Sequence, residues 1–187
     1  YLKVNADEDA LEFTTAPSGG SAGPDTLATF TPRDVYPGHA SNYPRLDTRN
    51  YTPVLTFDDS TDETGVVTGV LPERYGGGGV TLEIHYAMDT ATSGDVVWAA
   101  AFENISDEAQ DLDSDGFATA QTVTSTVSTT AGKVKRATIS FTDGAQMDSV
   151  GAGDAFRLKL YRDADNAADD ATGNAQVVTV HLKETSS

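Results

Sequence analysis

Asp111-Leu112-Asp113-Ser114-Asp115-Gly116 is the sharpest chemical pattern in the chain. Alternate carboxylates followed by glycine at the sixth position match the start of an EF-hand loop, whose ligands at positions 1, 3 and 5 wrap one calcium ion. The match stops there. The twelfth position is Thr122 where a bidentate Glu belongs, and the flanks read as strand, not helix. A calcium ion on Asp111, Asp113 and Asp115 is the candidate, but a polar connection that uses Asp and Gly for turn geometry is the favoured reading. A second acidic loop carries Asp163, Asp165, Asp169 and Asp170, and Asp58, Asp59, Asp62 and Glu63 form a weaker third group. Both read as exposed connections between strands.

Other chemistry is sparse. Gly76 to Gly79 lacks the Lys and Ser or Thr of a phosphate-binding loop, and no helix follows it, so a flexible turn or a close backbone approach between chains is expected. His39, His85 and His181 show no metal-ligand spacing and read as surface histidines. No Gly-x-Ser-x-Gly elbow is present. Carboxylate pairs are expected by chance in so acidic a chain, so they do not argue for a glycosidase. Trp98 shares its phase with Val96, Ala100 and Phe102 and belongs in a core. Tyr36, Tyr43, Tyr51, Tyr75 and Tyr161 are the better candidates for surface contact.

The elements that must hold these residues are strands. Val80, Leu82, Ile84 and Tyr86 alternate with Thr81, Glu83 and His85, and Val96 to Glu103 continues a period of two. The intervening Thr90 to Asp95 reads as a reversing loop, so the two strands are expected to form a wide antiparallel hairpin. Further strands are expected around Val54–Phe57, Val66–Val70, Phe117–Thr130, Lys135–Phe141, Phe156–Leu160 and Val178–Leu182, with one short helical turn near Ala145 to Val150. Eight strands with unequal loops predict an all-β, antiparallel two-sheet sandwich of the jelly-roll type, ahead of an immunoglobulin-like one. Residues 1–50 are expected to form an N-terminal hairpin and an extended attachment arm, with the sandwich over residues 51–187. Leu2, Val4, Leu11 and Phe13 on the hairpin, with Phe30, Tyr36 and Tyr43 on the Gly/Pro/Ser-punctuated arm, are the attachment candidates.

Bulk properties narrow the partners. A net charge of −17 argues against nucleic acid, which needs clustered Lys and Arg. No apolar run approaches the roughly 20 residues of a membrane helix. There is no cysteine, hence no disulfide or thiol nucleophile. The first residue is Tyr1, so a processed or partial version of a longer polypeptide is expected.

The stretches LDTRNYTPVLTFDDSTDETGVVTGVLPERYGGGGVTLEIHYAMDTATSGDVVWAAAFE and FRLKLYRDADNAADDATGNAQVVTVHLKE resemble uncharacterised virion-associated proteins of bacteriophages, over about Leu46 to Glu184. The opening YLKVNADEDALEF is similar to a short β element of phage fibre and tail appendages. The resemblance implies a non-enzymatic structural protein on the virion exterior, a capsid decoration or fibre module attached through its arm. It implies other virion proteins as partners and a homo-oligomer, with a trimer favoured. It brings no catalytic residues. The alternatives are a carbohydrate-binding module that recognises a host surface glycan, and a calcium-dependent adhesive domain. No cofactor is expected beyond that candidate calcium.

Overall fold

The computed structural model describes residues 2–4, 11–13, 25–38, 41–108, 110–111 and 113–185. Among these residues, thirteen strands and one 3-10 turn account for the regular structure. They are β1 (Leu2–Val4), β2 (Leu11–Phe13), β3 (Thr26–Phe30), β4 (Tyr36–Pro37), β5 (Arg45–Arg49), β6 (Thr52–Phe57) and β7 (Thr64–Val70). β8 (Val80–Met88), β9 (Asp95–Asn104), β10 (Gln121–Thr126), β11 (Lys135–Phe141), β12 (Ala155–Arg162) and β13 (Ala175–Glu184) follow, with the 3-10 turn Ala145–Met147 before β12.

Strands β3 to β13 build two antiparallel sheets. The first sheet runs β10-β9-β12-β7-β4; the second runs β11-β8-β13-β6-β5, with β3 also paired to β13. Successive strands from β6 onward alternate between sheets except at β9–β10. This is the double-sheet jelly roll. Phase explains the layering. Val80, Leu82, Ile84, Tyr86 and Met88 on β8 and Val96, Trp98, Ala100 and Phe102 on β9 all turn into one core. Edge-on aromatic contacts join the two sheets: Phe57–Trp98 at 5.2 Å, Tyr86–Trp98 at 5.4 Å and Phe102–Phe141 at 5.0 Å between ring centroids.

Those contacts overturn the expected hairpin. β8 and β9 lie in different sheets and face one another across the core. Sheets pack about 10 Å apart, a gap that the loop from Asp89 to Gly94 can span. β9 is also buried on its outward side, at Val97, Ala99 and Ala101, so its alternation hides a strand covered on both faces.

The boundary expected at residue 50 is also corrected. Arg49 pairs with Thr52 inside the β5–β6 hairpin, β4 pairs with β7, and β3 pairs with β13. Strands β3, β4 and β5 are therefore edge strands of the sandwich. Phe30 and Leu27 are buried in the common core, and Val35 packs against it. Burial of those side chains is what draws an apparently unpatterned segment onto the sheets. Phe30 is thus a core residue, whereas Tyr36 and Tyr43 are each 41% exposed. β1 pairs with β2. The side chains of Leu2, Val4, Leu11 and Phe13 lie outside the described residues, as does His39.

The tetraglycine makes its close approach within this chain. Gly79 has φ +85°, and a Cβ there would stand 2.4 Å from the Phe141 carbonyl oxygen. Tyr75 is buried beside it and is no surface contact. Its hydroxyl donates to Asp143 Oδ1 and accepts the Gly79 N–H, both at 2.9 Å.

Two outcomes follow from these placements. Phe30→Ala should destabilise the fold by about 3–5 kcal/mol in denaturant melts, as loss of a core aromatic does. Tyr43→Ala should stay within about 0.5 kcal/mol; equal effects would return residues 25–50 to a separate arm. Second, burial and then the hydrogen bond to Asp143 push the Tyr75 phenol from 10.0 up to about 12. A folded-state value above the unfolded one gives stability that is complete below pH 10.0 and lost as pH rises through about 12. Tyr75→Phe should flatten that alkaline decline; an unchanged slope in urea melts would show that the phenol does not titrate with unfolding.

Candidate functional site

The outer face of the first sheet collects aromatic and polar side chains in register. Tyr36 on β4 stands opposite Val66, which pairs with Lys159, which pairs with Ala101. One row along, Thr68, Arg157 and Glu103 align; on the other side, Thr64, Tyr161, Ala99 and Thr122 do so. Small residues on β9 keep the middle of this face low. Phe117, on the segment leading into β10, lies over it, with its ring centroid 5.4 Å from the Arg157 guanidinium carbon and 5.1 Å from Lys159 Nζ. Lys159 Nζ is also 5.6 Å from the Tyr161 ring. The Lys159 ammonium therefore sits between two aromatic faces, an arrangement favoured by the ring quadrupole.

Glu103 organises the polar half. Its side chain is fully buried, and it accepts from Arg157 Nε at 2.7 Å, from Arg157 Nη2 and from Gln110 Nε2 at 2.5 Å. A buried carboxylate needs such a partner set. The hydrogen bond to Glu103 raises the Arg157 pKa further, so the guanidinium is a fixed cation and its plane is held. Tyr36 Oη and Thr68 Oγ1 lie 3.1 Å apart, fixing the tyrosine ring at the far edge. Beside Lys159 a depression of about 290 Å³ opens, lined by Gly38, Asn42, Asp62, Thr64 and Phe117.

The acidic loops divide into cappers and a cluster. Arg162 at the end of β12 is fully buried and bonds both oxygens of Asp169, the Gly173 carbonyl at 2.7 Å and the Ala171 carbonyl at 2.6 Å. Asp169 and Asp170 also accept the Val97 and Asp95 amides. Asp163, whose Oδ2 accepts from Asn166 Nδ2 at 2.8 Å, and Asp165 approach Asp62, and one oxygen from each carboxylate lies within 4.8 Å of the others. Burial, together with the charges of Asp165 and Asp163, raises the Asp62 carboxyl above its ordinary value. Hard oxygen ligands in this number suit a cation such as calcium.

Asp111, Asp113 and Asp115 do not converge in that way. Asp111 accepts the Asp113 amide at 3.0 Å, and Asp115 accepts the Asp111 amide at 2.8 Å, so the loop spends these carboxylates on its own backbone. Among the described residues the groups that bring three ligand atoms within 4.8 Å are Asp62–Asp163–Asp165 and Glu83–His85–His181. Neither spacing is visible along the chain, because each set joins strands distant in sequence. The two histidines thus meet on the outer face of the second sheet. Trp98 is fully buried and offers nothing to a ligand, whereas Tyr51, at the tip of the β5–β6 hairpin, is 96% exposed with φ 65°.

No family model matches the chain, and no curated protein does. Solved structures that share the strand arrangement were found. A family 6 carbohydrate-binding module from Cellvibrio mixtus lichenase 5A, in complex with cellotriose, is 11% identical with a TM-score of 0.43, over 87% of this chain and 100% of that one. A family 36 carbohydrate-binding module in complex with calcium and xylotriose is 12% identical with a TM-score of 0.43, over 83% of this chain and 99% of that one. A cycloisomaltooligosaccharide glucanotransferase of Paenibacillus sp. is 9% identical with a TM-score of 0.46; the match covers 82% of this chain but only 18% of the enzyme. At such identities and scores none of them says what this chain binds.

Because the Asp113 carboxylate faces solvent on a self-capped loop, Asp113→Ala should change stability by no more than about 0.5 kcal/mol. Any difference in melting temperature between calcium and a chelator should be the same in this variant as in the parent. A chelator-sensitive midpoint that this substitution abolishes would return the cation to Asp111, Asp113 and Asp115.

Proposed function

We propose that the chain is a non-catalytic carbohydrate-binding sandwich that takes an oligosaccharide across the outer face of its first sheet. The observation that carries this reading is the gathering of Tyr36, Phe117 and Tyr161 on one face beside Lys159 and the Arg157–Glu103–Gln110 network. Sugar rings present apolar C–H faces that pack on aromatic rings, and hydroxyls that need fixed donors and acceptors. Tyr36 supplies an exposed ring and Lys159 a donor. Arg157 is oriented by Glu103, so little ordering entropy is lost on binding. The Asp62–Asp163–Asp165 cluster, at the rim of the depression, is the place where a calcium ion would brace the loop after β12 or meet a sugar hydroxyl.

The exterior of a virus particle is retained as the setting on the sequence resemblance alone, and with it host-surface glycan as the source of the ligand. A trimeric state and attachment through residues 1–24 belong to the same proposal.

Affinity electrophoresis against soluble polysaccharides, followed by a glycan array, tests the reading. At least one neutral or acidic polysaccharide should retard the parent. Tyr36→Ala and Tyr161→Ala should each weaken that binding at least about tenfold, near 1.4 kcal/mol, while circular dichroism and melting stay close to the parent. Absence of any retarding glycan, or variants that bind like the parent, would remove the first-sheet face as the site.

A further inference from the structure

We propose that Glu83, His85 and His181, on the outer face of the second sheet, bind a divalent transition-metal ion of the zinc type. The site lies on the face opposite the sugar-binding proposal and does not depend on it.

Strand geometry assembles the ligands. Glu83 and His85 are two residues apart on β8, so they share the outward face. His181 on β13 is the direct cross-strand partner of Glu83. The two imidazole rings lie 5.0 Å apart, tilted by 44°. One nitrogen from each ring and one carboxylate oxygen fall within 4.8 Å of one another, and His85 Nε2 stands 3.9 Å from Glu83 Oε2. Tetrahedral ligands about 2.0–2.1 Å from a zinc ion are themselves roughly 3.4 Å apart, so closure needs side-chain shifts of a few tenths of an ångström to about one ångström.

The second observation is an unmet valence. His85 Nε2 is shut off from solvent and has no hydrogen-bond partner. A buried imidazole nitrogen in that position costs free energy until something occupies it. The neutral imidazole is the form that ligates metal. Arg136 and Lys183 also face this spot, Lys183 Nζ at 2.8 Å from Glu83 Oε2 and Arg136 Nη1 at 3.3 Å from Oε1. Lys183 competes with the metal for Oε2. Its side chain is partly exposed and can release into water.

Ligand type sets the metal. Two imidazoles with one carboxylate suit zinc, cobalt, nickel or copper, with a water in the open position, and suit calcium and magnesium poorly. The Asp62–Asp163–Asp165 cluster is all oxygen. The two faces would therefore sort cations by hardness.

The experiment is calorimetric titration of the whole chain with zinc chloride at neutral pH, alongside cobalt absorbance in the visible. One saturable zinc site and a zinc-dependent rise in melting temperature are expected, with no such response to magnesium. His181→Ala and His85→Gln should each weaken zinc at least about tenfold, the scale on which coordination-sphere changes act. Lys183→Met should tighten it, because the competing ammonium is gone. The two histidine variants separate ligation from surface adsorption, since each removes a ligand without making the surface more or less acidic. No saturable zinc binding by the parent, or binding unchanged in both histidine variants, or weaker binding in Lys183→Met, would overturn the proposal.

Discussion

A guanidinium with no exposure to water must have its donors matched by the protein, and one end of this sandwich is built to do that. Arg162 continues the inward phase of Phe156, Leu158 and Leu160, and it pairs in register with Trp98. Five hydrogen bonds to Asp169 and to the Ala171 and Gly173 carbonyls satisfy it. Breaking such a buried pair by removing one partner costs about 3–5 kcal/mol, because a bare charge is left behind. The consequence is geometric as much as energetic. The segment after β12 must fold back over Arg162, and in doing so it presents the Asp169 and Asp170 carboxylates to the β9 backbone and sets Asp163 and Asp165 against Asp62. Tyr161, one residue before Arg162, is held outward by the same strand.

The excess of acid has a related origin. An all-β chain with long connections leaves many loop amides without a sheet partner, and an ionised carboxylate is a compact acceptor for them. Asp34, Asp58, Asp59, Asp62, Asp148 and Asp154 each accept a loop or strand-end amide. Glu63 and Glu184 do the same for the Asp58 and Gly76 amides. Much of the net charge of −17 is therefore structural. Among the cations, Arg157 and Lys159 serve one face, Arg136 and Lys183 the other, and Arg162 the core.

The strands of the body were legible because period-two alternation is local. β8, β11, β12 and β13 lie where their patterns put them, and the all-β sandwich follows from their number. Three features were hidden because they are not local. Alternation says which residues share a face but not which sheet a strand joins, so β8 and β9 read as a hairpin. Edge strands carry weak patterns: Arg45–Arg49 buries no side chain fully, and Thr26–Phe30 buries only Leu27 and Phe30. Finally, Asp62 with Asp163, or His85 with His181, meet through cross-strand register or loop docking about a hundred residues apart in the chain. The spacing at Asp111, Asp113 and Asp115 was conspicuous because it was sequential, and it is the one that does not converge.

The pairing of the first and last strands of the body has a mechanical side. The Glu184 amide bonds the Asp25 carbonyl at 2.9 Å, and Thr26 lies opposite Lys183 in the antiparallel β3–β13 pair. The chain thus enters and leaves the sandwich through a single doorway. Tension drawn through the two flanking segments loads that pair at its open end. It is peeled rung by rung and not sheared, so each hydrogen bond meets the pull alone. A drag applied to the outer face of the first sheet travels instead across β7, β12 and β9, whose full-length ladders share it. The body is therefore compliant where the chain enters and leaves it and stiff beneath the proposed sugar-binding face.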